Sequence, residues 1–126
     1  RSTNRFTMTE QSPDALAEVP DRPQALADAA ALETFRDTHD FALVEFYTDG
    51  CGICASMEPV LSGIAREPDL AVGLGNPRDD PPLVEAFDVR GVPLLVLFRD
   101  GEVVARRNDG FVGVDELREW IDEHRP

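Results

Sequence analysis

The chain has 126 residues, two cysteines and a formal net charge of −13, which makes it one domain able to bury about two-thirds of its unfolded surface around a single core. Twenty-five acidic residues against twelve basic ones exclude a nucleic-acid partner, because displacing phosphate counterions needs a positive surface. No stretch approaches the roughly 20 apolar residues of a membrane span, and the apolar core of a secretory signal is missing, so no membrane association is expected.

In chain order, residues 1–22 read as a flexible, acidic tail with prolines at 13 and 20 and no sustained apolar period. A short helix at Asp14 to Glu18 packed on the domain is the competing reading, and Met8 is a candidate native start behind seven added residues. The domain proper is assigned to 23–126. It opens with a short strand near Gln24 to Ala27 and a helix from Asp28 to Thr38. The run Ala42 to Thr48 then has the length and composition of a buried strand.

Cys51 and Cys54 follow that strand, separated by Gly52 and Ile53. After them Met57, Val60, Leu61 and Ile64 recur at i, i+3, i+4 and i+7, so a helix with one apolar stripe begins at the pair. Unpaired N–H groups at a helix N-terminus favour negative charge, which makes Cys51 the acidic nucleophile. Cys54 lies about one helical turn on, close enough to attack a mixed disulfide formed by Cys51, and is read as the resolving thiol. Gly50 and Gly52 leave the nucleophile open to a substrate backbone.

Further on come a strand at Leu70 to Leu74 and a short helix expected to be capped by Asp80 with Pro81 at its first position. Leu83, Val84 and Phe87 supply that helix with an apolar face. A hairpin of Leu94 to Phe98 and Glu102 to Arg106 turns at Asp100-Gly101, and a last helix spans Val114 to His124 with Leu117, Trp120 and Ile121 inward. Strand–helix–strand units imply parallel neighbours and the tight turn an antiparallel pair. The fold class is therefore α/β, a central mixed sheet of about four to five strands with helices on both faces.

From roughly Leu26 to His124 the chain resembles a thioredoxin. The resemblance rests on a strand ending in Phe46-Tyr47, the motif Cys51-Gly52-Ile53-Cys54, Pro59 in the next helix, Val89-Arg90-Gly91-Val92-Pro93 before an apolar strand, the Asp100-Gly101 turn, and Gly110-Phe111 before a terminal helix. It implies the thioredoxin fold and a thiol-disulfide oxidoreductase with no bound cofactor, acting on protein disulfides and fed by a thioredoxin-reductase-like donor. It also implies a cis peptide bond at Val92-Pro93, with the Val92 backbone pairing to a bound substrate strand, and substrate contacts from Gly50, Gly52, Ile53, Pro93 and Gly110. Glu45 stands where thioredoxins carry a buried Asp, so the resemblance makes it a buried proton relay; the competing reading turns Glu45 to solvent.

Three features depart from the family pattern. Gly50 replaces the usual Trp, Ile53 replaces the usual Pro, and the chain has no lysine to partner the buried acid. Ile53 adds a backbone N–H beside the sulfurs, and a potential more oxidising than thioredoxin's is the expectation. The acidic, lysine-free surface suggests adaptation to high salt, where screening falls to about 3 Å at 1 M, and hence a halophile's cytoplasmic protein; an ordinary acidic protein is the alternative. Zinc needs four ligands, and only His39 and His124 remain beside the cysteines, neither in a paired knuckle, so no metal is expected. His39 is expected exposed near a helix end and Trp120 in the core. A client-binding module without turnover is the alternative function, and a monomer the default.

Overall fold

The computed structural model describes residues 19–126, so the expectations for the tail before Val19 lie outside it. Five strands and four helices alternate: β1 (Gln24–Leu26), α1 (Ala29–Thr38), β2 (Phe41–Phe46), α2 (Gly52–Ile64), β3 (Ala71–Gly75), α3 (Pro82–Phe87), β4 (Leu94–Arg99), β5 (Glu102–Arg107) and α4 (Val114–Asp122). The expected elements are all present, with ends displaced by one or two residues. The strands form one mixed sheet in the order β1-β3-β2-β4-β5. β3 runs parallel to β1 and β2, whereas β4 runs antiparallel to β2 and β5.

All six residues of β2 are buried, because the strand is central and both faces of the sheet are covered. Successive side chains point to opposite faces. Phe41 and Leu43 therefore join Met57, Leu61 and Ile64 of α2 and Leu117 and Ile121 of α4 in one core, while Ala42, Val44 and Phe46 join Leu32 and Phe35 of α1 and Leu83 and Phe87 of α3 in the other. Val19, ahead of the first strand, packs against the second core. Trp120 is only partly buried at the rim of the first, with the Arg107 guanidinium 5.4 Å from its ring centre. It does not fill the core as expected: its indole lies one turn-step off the Leu117 and Ile121 stripe.

Local chemistry explains the main connections. Asp100 (φ 54°) and Gly101 (φ 82°) both take the left-handed conformation that a two-residue hairpin turn demands. Gly73 in β3 leaves room for its neighbours, since a Cβ there would stand 2.7 Å from Cδ1 of Leu26 and 3.1 Å from Cε2 of Phe35 and would force the Leu26 side chain to shift. The edge strand β5 presents Arg106, Arg107 and Glu102, charges that discourage pairing with another sheet.

Asp80 does not cap the helix that follows it. Pro81 occupies that cap position with no side-chain hydrogen bond, and the Asp80 carboxylate instead accepts from the Ala29 N–H of α1 at 2.8 Å. Asp28 accepts from the Ala31 N–H at 2.8 Å, so two carboxylates satisfy the first turn of α1. Asp80→Ala is expected to destabilise the protein by about 1 kcal/mol, as Asp28→Ala should, lowering Tm by several degrees. An unchanged melting curve would show that the long-range cap contributes nothing.

His39 ends α1 and is buried, not exposed as expected, because its ring packs edge-on against Phe35 with centroids 5.0 Å apart. Burial lowers its pKa, with Asp40 pulling the other way.

Candidate active site

The register of the sheet gathers the candidate residues at one end. β2 ends at Phe46, which pairs with Gly75 at the end of β3 and Leu94 at the start of β4; Leu95 in turn pairs with Arg107 at the end of β5. The loop carrying Cys51, the Val92-Pro93 bond and the Gly110 segment must therefore emerge on the same side. Tyr47 continues the parallel pairing by donating its N–H to the Gly75 carbonyl at 3.0 Å. Gly50, at φ 81° with open space where a Cβ would project, turns the chain into α2.

Cys51 is the N-cap of α2, and its Sγ accepts from the Cys54 N–H at 3.1 Å. A sulfur at a cap lies in the field of the helix's free N–H groups, which stabilise it as a thiolate once the pair is reduced. The two cysteines are joined in a disulfide, with Cα atoms 5.2 Å apart. Their environments differ. Cys51 is partly exposed between the exposed Gly52 and Ile53 and the bend at Gly50, whereas Cys54 is 4% exposed and faces the core. Pro59 lies inside α2 as expected.

The Val92-Pro93 peptide bond is cis. Gly91 ahead of it accepts from Asn108 Nδ2 at 3.2 Å, which ties this loop to the end of β5. Gly110 has φ 86°, and two residues later the Val112 N–H donates to Met57 Sδ at 3.4 Å, holding the segment against α2. Phe111 between them is 56% exposed, and Ile53 inside the Cys-x-x-Cys motif is exposed as well.

Glu45 is 2% exposed, so its side chain turns inward and not to solvent. By alternation it shares the α2 face with Phe41 and Leu43, and its sheet neighbours are Leu74 and Leu95. Its Oε2 is buried with no hydrogen-bond partner. Burial, with the Glu58 carboxylate second, pushes its pKa up to about 8. A cavity of about 220 Å³ opens beside it, lined among others by Tyr47, Asp49, Cys51, Cys54 and Glu58. That space is large enough for several waters, and Glu45 and the disulfide both line it. The Tyr47 phenol is pushed up by burial, with Asp49 and Asp79 adding to it.

Sequence reasoning missed Tyr47, Glu58 and Leu74 as parts of this pocket. The available signal was the i, i+4 spacing of Cys54 and Glu58, which places both on one face of α2. Among the described residues no three His, Cys, Asp or Glu side chains stand together as a metal would require. Nor is any described helix long and apolar enough to cross a membrane.

The thioredoxin family model matches residues 24–123. A thioredoxin of Buchnera aphidicola subsp. Acyrthosiphon pisum is 32% identical over 101 residues, covering 79% of this chain and 93% of that one. The solved structure of a point-mutant thioredoxin from Halobacterium salinarum NRC-1 superposes with a TM-score of 0.79 at 35% identity, over 84% of this chain and 93% of that one. Mitochondrial thioredoxin 3 of Saccharomyces cerevisiae in its oxidized form, at 22% identity, shares the fold with a TM-score of 0.71 over 79% of this chain and 93% of that one.

Proposed function

The chain belongs to the thioredoxin family and is a thiol-disulfide oxidoreductase, and on that premise we propose that Cys51 is the attacking sulfur, Cys54 the resolving one and Glu45 the acid that serves Cys54. The observation that carries this reading is the asymmetry of the pair: one disulfide with an outer sulfur at a helix cap and an inner sulfur buried beside a cavity lined by carboxyl groups.

In the reducing direction the Cys51 thiolate attacks a protein disulfide, forming a mixed disulfide and releasing one substrate thiolate, which takes a proton from solvent. Cys54 then loses its proton and attacks Cys51 Sγ. The bond between Cys51 and the substrate breaks, the second substrate thiolate leaves with the electron pair, and two electrons have passed from the dithiol to the substrate. A reductase restores the dithiol by the reverse exchange. With a pKa of about 8, Glu45 is mostly protonated at neutral pH and is best placed as a donor to Cys54 when that sulfur leaves as a thiolate.

Gly50, Gly52, Ile53, Val92, Pro93 and Gly110 form the substrate face in this reading, supported by their arrival at one end of the sheet. The non-catalytic alternative is not favoured, since both sulfurs needed for turnover are present and bonded. A cytoplasmic setting belongs to this reading, as the compartment in which paired cysteines ordinarily cycle as a catalytic dithiol. A salt-adapted surface is supported by the net charge of −13 without lysine and by the likeness to a Halobacterium salinarum thioredoxin. We take the protein as a monomer, the default for a chain whose sequence pattern shows no extra apolar surface.

The test is equilibrium titration of the pair against glutathione or dithiothreitol in molar KCl. A reversible two-electron couple lying above about −270 mV is expected. A couple at or below that value would make the protein an ordinary reductant and remove the oxidising reading. No couple at all would overturn the redox function.

A further inference from the structure

Three carboxyl groups, those of Glu45, Asp49 and Glu58, line the cavity beside the disulfide. With Glu45 in that lining are Tyr47 just past the end of β2, Asp49 of the following loop, Cys51 at the cap of α2, and Cys54 and Glu58 of the helix itself. On the neighbouring strands the register partners of Glu45 are Leu74 and Leu95, and among the described residues no arginine lines the space. Glu58 is exposed, whereas Glu45 is buried with a partnerless Oε2 in the same cavity. Glu58 therefore stands at the mouth and Glu45 at the floor, with Cys54 one helical turn before Glu58.

We propose that Glu58 is a positioning residue acting through Glu45, the outer carboxyl of a two-carboxyl proton path that runs from solvent across the cavity to Cys54. The inference rests on the reading of Glu45 as the acid serving Cys54. When a donor thiolate bonds to Cys51 Sγ, the Cys51–Cys54 bond breaks and Cys54 leaves as a thiolate with the electron pair. That thiolate takes the proton of Glu45. The resulting Glu45 carboxylate is reprotonated across the cavity through Glu58, whose carboxylate takes a proton from bulk water and passes it inward, returning to its ionised form. The donor's second thiolate displaces Cys51, leaving the donor as a disulfide and both active-site sulfurs reduced.

The arrangement has a second consequence. A cation opposite a buried acid would favour its ionised form, but Glu58 disfavours it and keeps Glu45 loaded with a proton at neutral pH. The same ionised side chain thus relays protons inward and holds the inner site in its donating state.

The experiment follows the Glu45 carboxyl directly by infrared difference titration of the oxidised protein, where neither cysteine titrates. The band is identified by its loss in Glu45→Gln. Glu58→Gln is expected to lower the Glu45 midpoint by roughly half a unit in dilute buffer, and Glu58→Arg by more. Glu58→Asp should restore most of the shift. Glu85→Gln, the same charge change on α3 across the sheet, serves as control. The pH profile for single-turnover reduction by dithiothreitol should shift with the midpoint, and the rate of Cys54 release should fall several-fold in Glu58→Gln. A midpoint unmoved by Glu58→Gln, or moved equally by Glu85→Gln, overturns the inference while leaving Glu45 its role. A wild-type carboxyl band that does not titrate between about pH 6 and 9 overturns the role of Glu45 and the inference together.

Discussion

Cys51→Ser should abolish reduction of protein disulfides, a loss of at least roughly 10³-fold to the level of uncatalysed exchange, whereas Cys54→Ser should trap substrate as a stable mixed disulfide on Cys51. The difference follows from position. Cys51 sits at the cap of α2, partly open to solvent, and Cys54 is 4% exposed, so only Cys51 can meet a macromolecular disulfide. Without Cys51 no bond to substrate forms. Without Cys54 the first attack still occurs, but no second sulfur is available within the protein to break the adduct. Insulin reduction in molar KCl measures the first outcome, and intact-mass spectrometry after incubation with a disulfide-containing substrate measures the second. A Cys51→Ser protein that accumulates mixed disulfide, with Cys54→Ser accumulating none, would reverse the assigned roles.

Glu45→Gln should make the protein more stable than wild type in mild alkali and nearly equal to it in mild acid. The folded carboxyl has a pKa of about 8 against an ordinary 4.5, raised first by burial and then by Glu58. Between those values the folded protein keeps a proton that the unfolded chain has released. The contribution of Glu45 is therefore fully present below about pH 4.5 and is lost as pH rises through 8, a change on the order of 4 kcal/mol. Glutamine keeps the shape of the neutral acid and removes the titration. Denaturant unfolding of the oxidised proteins at pH 5 and pH 9 in one fixed salt reads the difference. Parallel pH dependence in the two proteins would mean that Glu45 ionises in the fold without penalty.

Much of the fold was legible because its signals are local. The helix beginning at the cysteine pair was announced by Met57, Val60, Leu61 and Ile64, and the hairpin by Asp100-Gly101, whose observed φ values of 54° and 82° are those of a tight turn. The strand at 41–46 could be read as buried from its apolar run. Its split between two cores could not, because both sets of alternating residues are equally apolar. Asp80 shows the limit of local rules: it precedes a helix as a cap residue should, yet it bonds to Ala29, 51 positions earlier. His39 shows another, since a polar residue at a helix end is ordinarily solvated and this one is covered by Phe35.

By itself the sequence determined the chemistry, a dithiol whose outer sulfur caps a helix, together with the α/β alternation and the acidic, lysine-free surface. These depend on the order and spacing of neighbouring residues, and short-range hydrogen bonding and periodicity are enough to read them. The tertiary structure alone decided that Glu45 points inward without a hydrogen-bond partner, that Glu58 shares its cavity, and that Val92-Pro93 and Gly110 emerge at the same end of the sheet as Cys51. Those relations join residues far apart in the chain. They are set by strand register and by the packing of α2 across the sheet, and the free energy of ionising a buried group depends on that surrounding space more than on the residue's own neighbours in sequence.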